Sequence, residues 1–552
     1  MRLIVLFFRS LRTVNLPAVL VAALLAVPIF SLALSLFAPD EGAWAHVAST
    51  VLGELLAHSF LLLVMVGLGV ALVGTATAWV TARYDFPGRR AFEWLLILPL
   101  AMPAYVMAYA YTDLLQYAGP VQTALRDYWG WPSKGDYWFP EIRSLGGAAT
   151  MLVFALYPYV YVLARVAFLE QSSSLLEAGR TFGYRAVPLF FRVSLPLARP
   201  AIAAGVALVG METLADYGTV SYFGVNTFTT GIFNTWFSLG DRISAAKLSM
   251  MLIGFIGVLL LLEQQARQRA RYYQTPGRYA ETRRLAGLSK VLAIGVCSLP
   301  LLIGFVLPVL LLIRLALADG GATLGLSFIR LAGLSLGLAV FTAGLAVALA
   351  FWFGYSARQS SNALNRGVNR LIGMGYAIPG TVIAVGVLIP IIQLDHLLAD
   401  LLQHVLGIST GLILTGSLIA LIYAYLIRFL AVALQSVESG LAKITPNMDD
   451  AARSLGLPSR SIMRQVHLPL LRNSLITAGL LVFVDVMKEL PATLVMRPFN
   501  FDTLAVQAYN LAKDERLAEA SVASLAIVAV GLIPVLVASR EITRYRRGAA
   551  LT

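Results

Sequence analysis

The chain's 552 residues are 59% hydrophobic and 13% charged, with a formal net charge of +13 and a mean hydropathy of +0.78. That leaves too little polar surface for a water-soluble globule and points to an all-α integral membrane protein. The surplus of positive charge lies between apolar runs, where it sets topology, so it calls for no nucleic-acid partner.

Apolar runs of about 20 residues, enough for a helix to cross roughly 30 Å of hydrocarbon, recur along the whole chain. Twelve transmembrane helices are expected, centred near residues 27, 70, 103, 157, 208, 253, 303, 343, 381, 421, 483 and 527. The first, Leu16 to Phe37 behind Arg2, Arg9 and Arg12, lacks a small-residue cleavage site and is expected to stay as an anchor. The third carries Tyr105, Tyr109 and Tyr111 with Met102 and Met107, read as packing and interfacial aromatics rather than a metal cage. In the fourth and tenth, Arg165 and Arg428 are expected to snorkel towards the cytoplasmic interface.

A charged stretch, LLEAGRTFGYRAVPLFFRVSLPLARP from Leu175 to Pro200, precedes the fifth run. Glu177 is followed six residues later by Gly183, and Leu195-Pro196 stands a little further on. The fifth run is short and polar and holds Glu212 and Asp216, four residues apart and so on one face of a helix. Tyr217 and Tyr222 follow. A basic, polar connector then runs from Glu263 to Lys290, dividing the chain into 1–262 and 291–552 with a linker at 263–290. Its Arg267 to Tyr273 cluster reads as an orientation signal beside anionic lipid.

The second half repeats the first. MDDAARSLGLPSRSIMRQVHLPLLRN, from Met448 to Asn473, places Asp450, Gly456 and Leu468-Pro469 at a constant offset of 273 residues from Glu177, Gly183 and Leu195-Pro196. The same offset carries Asp216 onto Glu489, Phe228 onto Phe501 and Trp236 onto Tyr509, while LPLAMPAYVMAYAY around Pro103 is similar to MGYAIPGTVIAVGV around Pro379. In each charged stretch a helix of two to three turns is expected, ended by the glycine in a left-handed turn and followed by a second short helix. Thr445 is expected to cap the second copy ahead of Pro446, and Ser173 or Ser174 the first. The eleventh run, like the fifth, is polar, with Asp485, Lys488 and Glu489.

Charge fixes orientation. Counted from the N-terminus, alternate segments between runs hold 29 Lys and Arg residues against 7 in the intervening loops. Basic loops stay cytoplasmic, so both termini and both charged stretches are expected in the cytoplasm. Six runs per half make the halves parallel repeats, a plan that favours a pathway between them. The single Cys297 excludes an intramolecular disulfide, and His46, His58, His396, His404 and His467 show no metal-ligand spacing.

These loops resemble those of permease subunits of binding-protein-dependent ABC importers, whose cytoplasmic loop reads Glu-Ala-Ala, three residues, Gly and a later Leu-Pro. Here the copies read Glu177-Ala178-Gly179 to Gly183 and Asp450-Ala451-Ala452 to Gly456. The phrases from Leu214 to Val220 and from Lys488 to Thr493 look most like the fused ferric-iron permeases, with thiamine, phosphonate, sulfate, molybdate and polyamine permeases sharing the architecture. The resemblance implies two parallel six-helix repeats in a bacterial inner membrane, with Glu177, Ala178 and Gly183, and Asp450, Ala451 and Gly456, forming coupling helices. It implies as partners two copies of a cytoplasmic ATPase, which use ATP and Mg, a periplasmic or extracellular solute-binding protein, and membrane lipid.

No Gly-Lys dipeptide occurs, so the phosphate loop GxxxxGK[ST] is absent and the chain is expected to be no enzyme and to bind no cofactor. Charges inside a lipid-facing helix cost on the order of 3 kcal/mol, which turns Glu212, Asp216, Asp485, Lys488 and Glu489 towards a protein interior. Two readings stand: an oxygen-lined route, with Tyr217 and Tyr222, for transient contact with Fe(III) and no stable metal site, or a gate latch in which Lys488 pairs with Asp485 or Glu489. The outer loop Arg126 to Glu141 either docks a binding protein or rests on the membrane interface. A stand-alone secondary transporter is the competing transport class, and no convergent catalytic set supports a membrane enzyme.

Overall fold

The computed structural model describes residues 16–39, 43–268, 282–359, 363–407, 409 and 411–549. Residues 1–15, with the basic N-terminal segment, and 269–281, nearly half of the expected linker and most of its Arg267 to Tyr273 cluster, lie outside the described residues. The described residues are mostly helical, and the one strand pairing among them is two residues long, Tyr84 and Asp85 running parallel to Arg283 and Arg284.

Among the described residues ten helices are long and apolar enough to cross a membrane, from Leu52–Arg83 to Leu517–Val537. Arg89–Ala101 and Ala104–Trp129 meet at 90° and make an eleventh if counted as one broken span. Among the described residues these helices alone do not confirm the expected twelve. The run centred at residue 27 is the Leu16–Ser35 helix, whose described apolar part, Val19–Ser35, is shorter than a full crossing. The run expected around residue 381 is also displaced: its helix, Gly380–Leu406, begins where the midpoint was expected.

Proline causes both the break at residues 102–103 and the displacement around residue 381. Met102 and Ile378 are extended because each precedes a proline, and Pro103 and Pro379 then start new helices after short 3-10 turns. The fifth and eleventh spans are longer than hydropathy suggested, Val187–Ala215 and Met463–Lys488. Each passes through a π-helical turn, Phe190–Ser194 or Met463–His467, just before Leu-Pro. Pro196 and Pro469 offer no N–H and crowd the carbonyl four residues back, and the wider turn accommodates both effects.

Contacts gather the chain into two compact units that do not follow sequence order. One consists of Met1–Ala43, Thr235–Met250 and Leu326–Val506. In it the Leu16–Ser35 helix lies along Gly380–Leu406, where a side chain at Gly386 would stand 2.9 Å from the Pro28 carbonyl oxygen. The other consists of Trp44–Asn234, Met251–Gly325 and Gln507–Thr552. There Leu307–Ala318 packs on Leu517–Ala549, and the Tyr111 hydroxyl donates to the Ile303 carbonyl at 2.8 Å. Each unit thus holds the first helix of the opposite sequence repeat.

Candidate coupling and translocation sites

Both charged stretches fold as their spacing predicts. The first forms a helix at Ser173–Thr181 and the second at Pro446–Ser454. Gly183 and Gly456 both adopt φ of +81°, the left-handed conformation that glycine adopts without strain. The Tyr184 amide donates to the Gly179 carbonyl at 3.1 Å, and the Leu457 amide donates to that of Ala452 at 3.2 Å. These are the six-to-one bonds of a Schellman turn, offset by 273 residues. The expected caps differ. Thr445 takes the N-cap position ahead of Pro446 but makes no side-chain hydrogen bond, and Ser173 and Ser174 lie inside their helix. The second short helices, Ala186–Leu189 and Ser459–Ile462, run through the π turns into the following spans.

Glu177, Ala178, Asp450 and Ala451 are exposed on these helices. So are two apolar residues that sequence reasoning passed over: Phe182 is 80% exposed and Leu455 82%. They stand at the same offset immediately before the two glycines, and that offset was the signal available for them. A bulky apolar side chain held so openly at each turn fits a surface completed by another protein.

The intramembrane acids are placed differently from expectation. The fifth helix ends at Ala215 and the eleventh at Lys488, so Asp216 and Glu489 lie beyond them in extended conformation. The shared helical face of Glu212 and Asp216 is therefore not formed. Asp216 instead accepts from the amides of Thr219 and Val220, both at 3.1 Å, and from the Thr219 hydroxyl at 3.0 Å. It caps the short helix Gly218–Tyr222. Glu489 repeats this at the offset: it accepts from the amides of Ala492 at 2.9 Å and Thr493 at 3.0 Å, and from the Thr493 hydroxyl at 2.6 Å, at the start of Pro491–Met496. A carboxylate at a helix N-terminus satisfies free amides and meets the positive end of the helix dipole.

Glu489 is also buried against Arg428, with Nη1 3.4 Å from Oε1. Gly380 makes room for this pair, since a side chain there would lie 2.6 Å from Glu489 Oε1 and 2.9 Å from Arg428 Nη1. Arg428 therefore does not snorkel. Nor does Arg165, which pairs at 3.2 Å with buried Glu93. In both cases the buried guanidinium is held by a buried acid from another part of the chain. Lys488 pairs with Asp485 at 2.9 Å, one of the two pairings expected of it.

Tyr217 and Tyr222 belong to an aromatic cluster. Tyr217 packs on Phe233 and Tyr509 with ring centroids 4.9 and 6.0 Å apart, and Tyr222 meets Tyr109 at 4.7 Å. The Ser221 and Tyr509 hydroxyls are 2.9 Å apart. The four acids divide between the units, Glu212 and Asp216 in one and Asp485 and Glu489 in the other. Among the described residues no three His, Cys, Asp or Glu side chains gather as a metal site would require. The loop from Arg126 to Glu141 is a small folded module. Trp129, Trp131 and Tyr137 stack at 5.3 and 5.0 Å, Ser133 and Asp136 form a capping box, and Lys134 pairs with Glu141 at 2.8 Å, which raises the lysine's pKa.

The family described as "Binding-protein-dependent transport system inner membrane component" matches residues 71–271 and 346–544, one copy in each sequence repeat. The chain belongs to that family. It is a multi-pass inner membrane permease of the ABC-importer type with two permease domains, a transport component and not a catalytic one. Permeases of this family work with ABC ATPases and binding proteins. This permease is 25% identical over 88% of its length to the Fe(3+)-transport system permease protein FbpB 2 of Haemophilus influenzae, covering 89% of that protein. It is 23% identical over 88% of its length to the ferric transport system permease protein FbpB of Actinobacillus pleuropneumoniae, covering 71%. With the sulfate transport system permease protein CysT of Escherichia coli it shares 30% identity over 28% of its length, covering 52% of that protein.

Proposed function

We propose that this permease imports ferric iron, crossing the membrane twelve times with both termini in the cytoplasm. The observation that carries the cargo is coverage. Relatives named for ferric transport align along 88% of the chain, through both repeats, whereas the sulfate permease aligns along 28%. Two coupling helices with matched turns, exposed acids and exposed Phe182 and Leu455 support two ATPase copies, one at each helix, with ATP and Mg handled there. A solute-binding protein would deliver the cargo from the periplasmic side.

Glu212 and Asp485 are the acids best suited to touch a passing trivalent cation, with the hydroxyls of Tyr217 and Tyr222 as further oxygen donors. Asp216 and Glu489 spend their oxygens on helix amides, so they hold the pathway's bends in place. Lys488, paired with Asp485, tempers the charge there. The contact would be brief, because a tightly held ion is released slowly.

A sulfate-like oxyanion is the second reading, favoured by the 30% identity to the sulfate permease over part of the chain. The test is uptake into proteoliposomes holding the permease, its ATPase and the binding protein. Radiolabelled ferric iron should enter only with ATP, and Glu212→Gln should lower the rate. ATP-driven entry of sulfate with no iron entry would overturn the assignment.

A further inference from the structure

The two coupling helices are fastened to the membrane helices by different means. In the second repeat Arg358, in the last turn of Leu326–Gln359, donates through Nη1 to the carbonyls of Leu441 and Ile444, both at 3.0 Å, where Leu418–Leu441 ends. Its Nη2 and Nε reach Asp449 Oδ2 at 2.9 and 3.3 Å. Asp449 lies in the first turn of the second coupling helix, and its other oxygen accepts from His467 Nε2 at 2.6 Å, at the foot of Met463–Lys488. The Tyr355 ring packs edge-on against the same imidazole at 5.5 Å. One carboxylate of the coupling helix is thus joined, directly or through Arg358, to three membrane helices. Burial pushes the Asp449 carboxyl up, but hydrogen bonds from His467 and Arg358 outweigh burial and hold it below the usual carboxylate range.

The first repeat ties its three corresponding helices by another route. Arg83, at the end of Leu52–Arg83, donates to the Phe168 carbonyl and, at 3.0 Å, to the Gln171 side-chain oxygen. Gln171 in turn donates to the Ser194 carbonyl at 2.9 Å. Residues 168, 171 and 194 are the counterparts of 441, 444 and 467 at the offset of 273. The counterpart of Asp449 is Leu176, buried and apolar. Among the described residues, the bonds of this brace run through Phe168, Gln171 and Ser194, while the first coupling helix buries an apolar side chain where the second has Asp449.

We infer that Asp449 is a positioning residue for energy transfer: with Arg358 and His467 it fixes the second coupling helix firmly to the spans, so the two ATPase inputs are mechanically unequal. The inference rests on the reading of these helices as ATPase contacts. Charge-assisted hydrogen bonds are the strong ones and costly to leave half-made, so Asp449→Leu, which installs the first repeat's residue, lowers stimulation of ATP hydrolysis by the binding protein about tenfold. Bound ATPase stays at the wild-type ratio.

Asp449→Asn, equal in shape, keeps the fold and gives a smaller loss in the same direction. Adding Ile444→Gln to Asp449→Leu supplies a bridge of the Gln171 type between membrane helices, and restores thermal stability but not stimulation. Unchanged stimulation in Asp449→Leu, or recovery of both properties with Ile444→Gln, overturns the inference and leaves the coupling helices standing. A wild-type complex that holds no ATPase overturns the coupling-helix reading and the inference with it.

Discussion

Asp216 and Glu489 occupy equivalent positions and perform the same local task, yet their removal should cost unequal amounts. Asp216 caps a helix with two amide bonds and one hydroxyl bond, and Asn retains an oxygen that accepts from an amide. Loss of the charge at an N-terminus costs about 0.5 to 1 kcal/mol. Glu489→Gln incurs that loss and also strands the buried Arg428 guanidinium, whose neighbour at 3.4 Å was the carboxylate. Breaking a buried ion pair from one side costs about 3 kcal/mol at the lower end of its range, the end this separation favours. Glu489→Gln should therefore destabilise at least three times as much as Asp216→Asn, and Arg428→Leu added to Glu489→Gln should recover part of the loss because no buried charge remains. Cys297, the chain's single cysteine, is fully buried, so a thiol-reactive fluorophore reports unfolding of the detergent-solubilised permease without further engineering. Equal midpoints for the two single variants, or a double variant less stable than Glu489→Gln, would refute the reasoning. Wild-type midpoints with lowered uptake would instead assign both acids to the cargo.

Gly183→Ala and Gly456→Ala should each cost about 1 to 2 kcal/mol from backbone conformation alone, since an added side-chain carbon meets nothing within 4 Å at either site. ATPase retained during purification should fall by similar amounts in the two variants, with Asn at either site milder than Ala. Lys488→Ala should remove about 0.5 kcal/mol or less, because its pair with Asp485 is a partly exposed helical one; a thermal midpoint lowered as far as by Glu489→Gln would contradict that pairing. Asp449's depressed pKa means that its attachment contributes stability above the ordinary carboxylate value and loses it as pH falls through the lowered one. Protection of residues 446–454 from protease should accordingly be flat from pH 8 to about 4 and disappear only at lower pH; loss between pH 7 and 5 would contradict it.

The coupling turns were legible because spacing alone dictates them: a glycine placed to end a short helix takes the same φ of +81° in both copies. The apolar runs located most membrane helices for the same kind of reason, since length and hydropathy are local properties. What hydropathy could not register was a break inside an apolar run. Pro103 and Pro379 are themselves compatible with hydrocarbon, so the runs around them looked continuous where the backbone turns. Arg165 and Arg428 were misread because their partners, Glu93 and Glu489, come from distant segments. Likewise the acids at 212 and 216 share a face only if the helix continues, and it stops at Ala215.

The two repeats preserve positions more strictly than chemistry. The left-handed glycines, the Schellman bonds, the carboxylate caps and the arginine braces recur in both, the first three at one offset of 273. At those places the chain must turn or tie helices together, and any residue able to bond the same amides or carbonyls serves, Asp for Glu or Gln for a backbone oxygen. Where a side chain also reaches a neighbouring element, the copies diverge: Leu176 opposite Asp449, and Ser194 opposite His467. A duplicated scaffold under this constraint keeps matching hinges while each half acquires its own attachments, and under the proposed coupling such unequal attachments on equal hinges would let two ATPase copies act on the pathway in different ways.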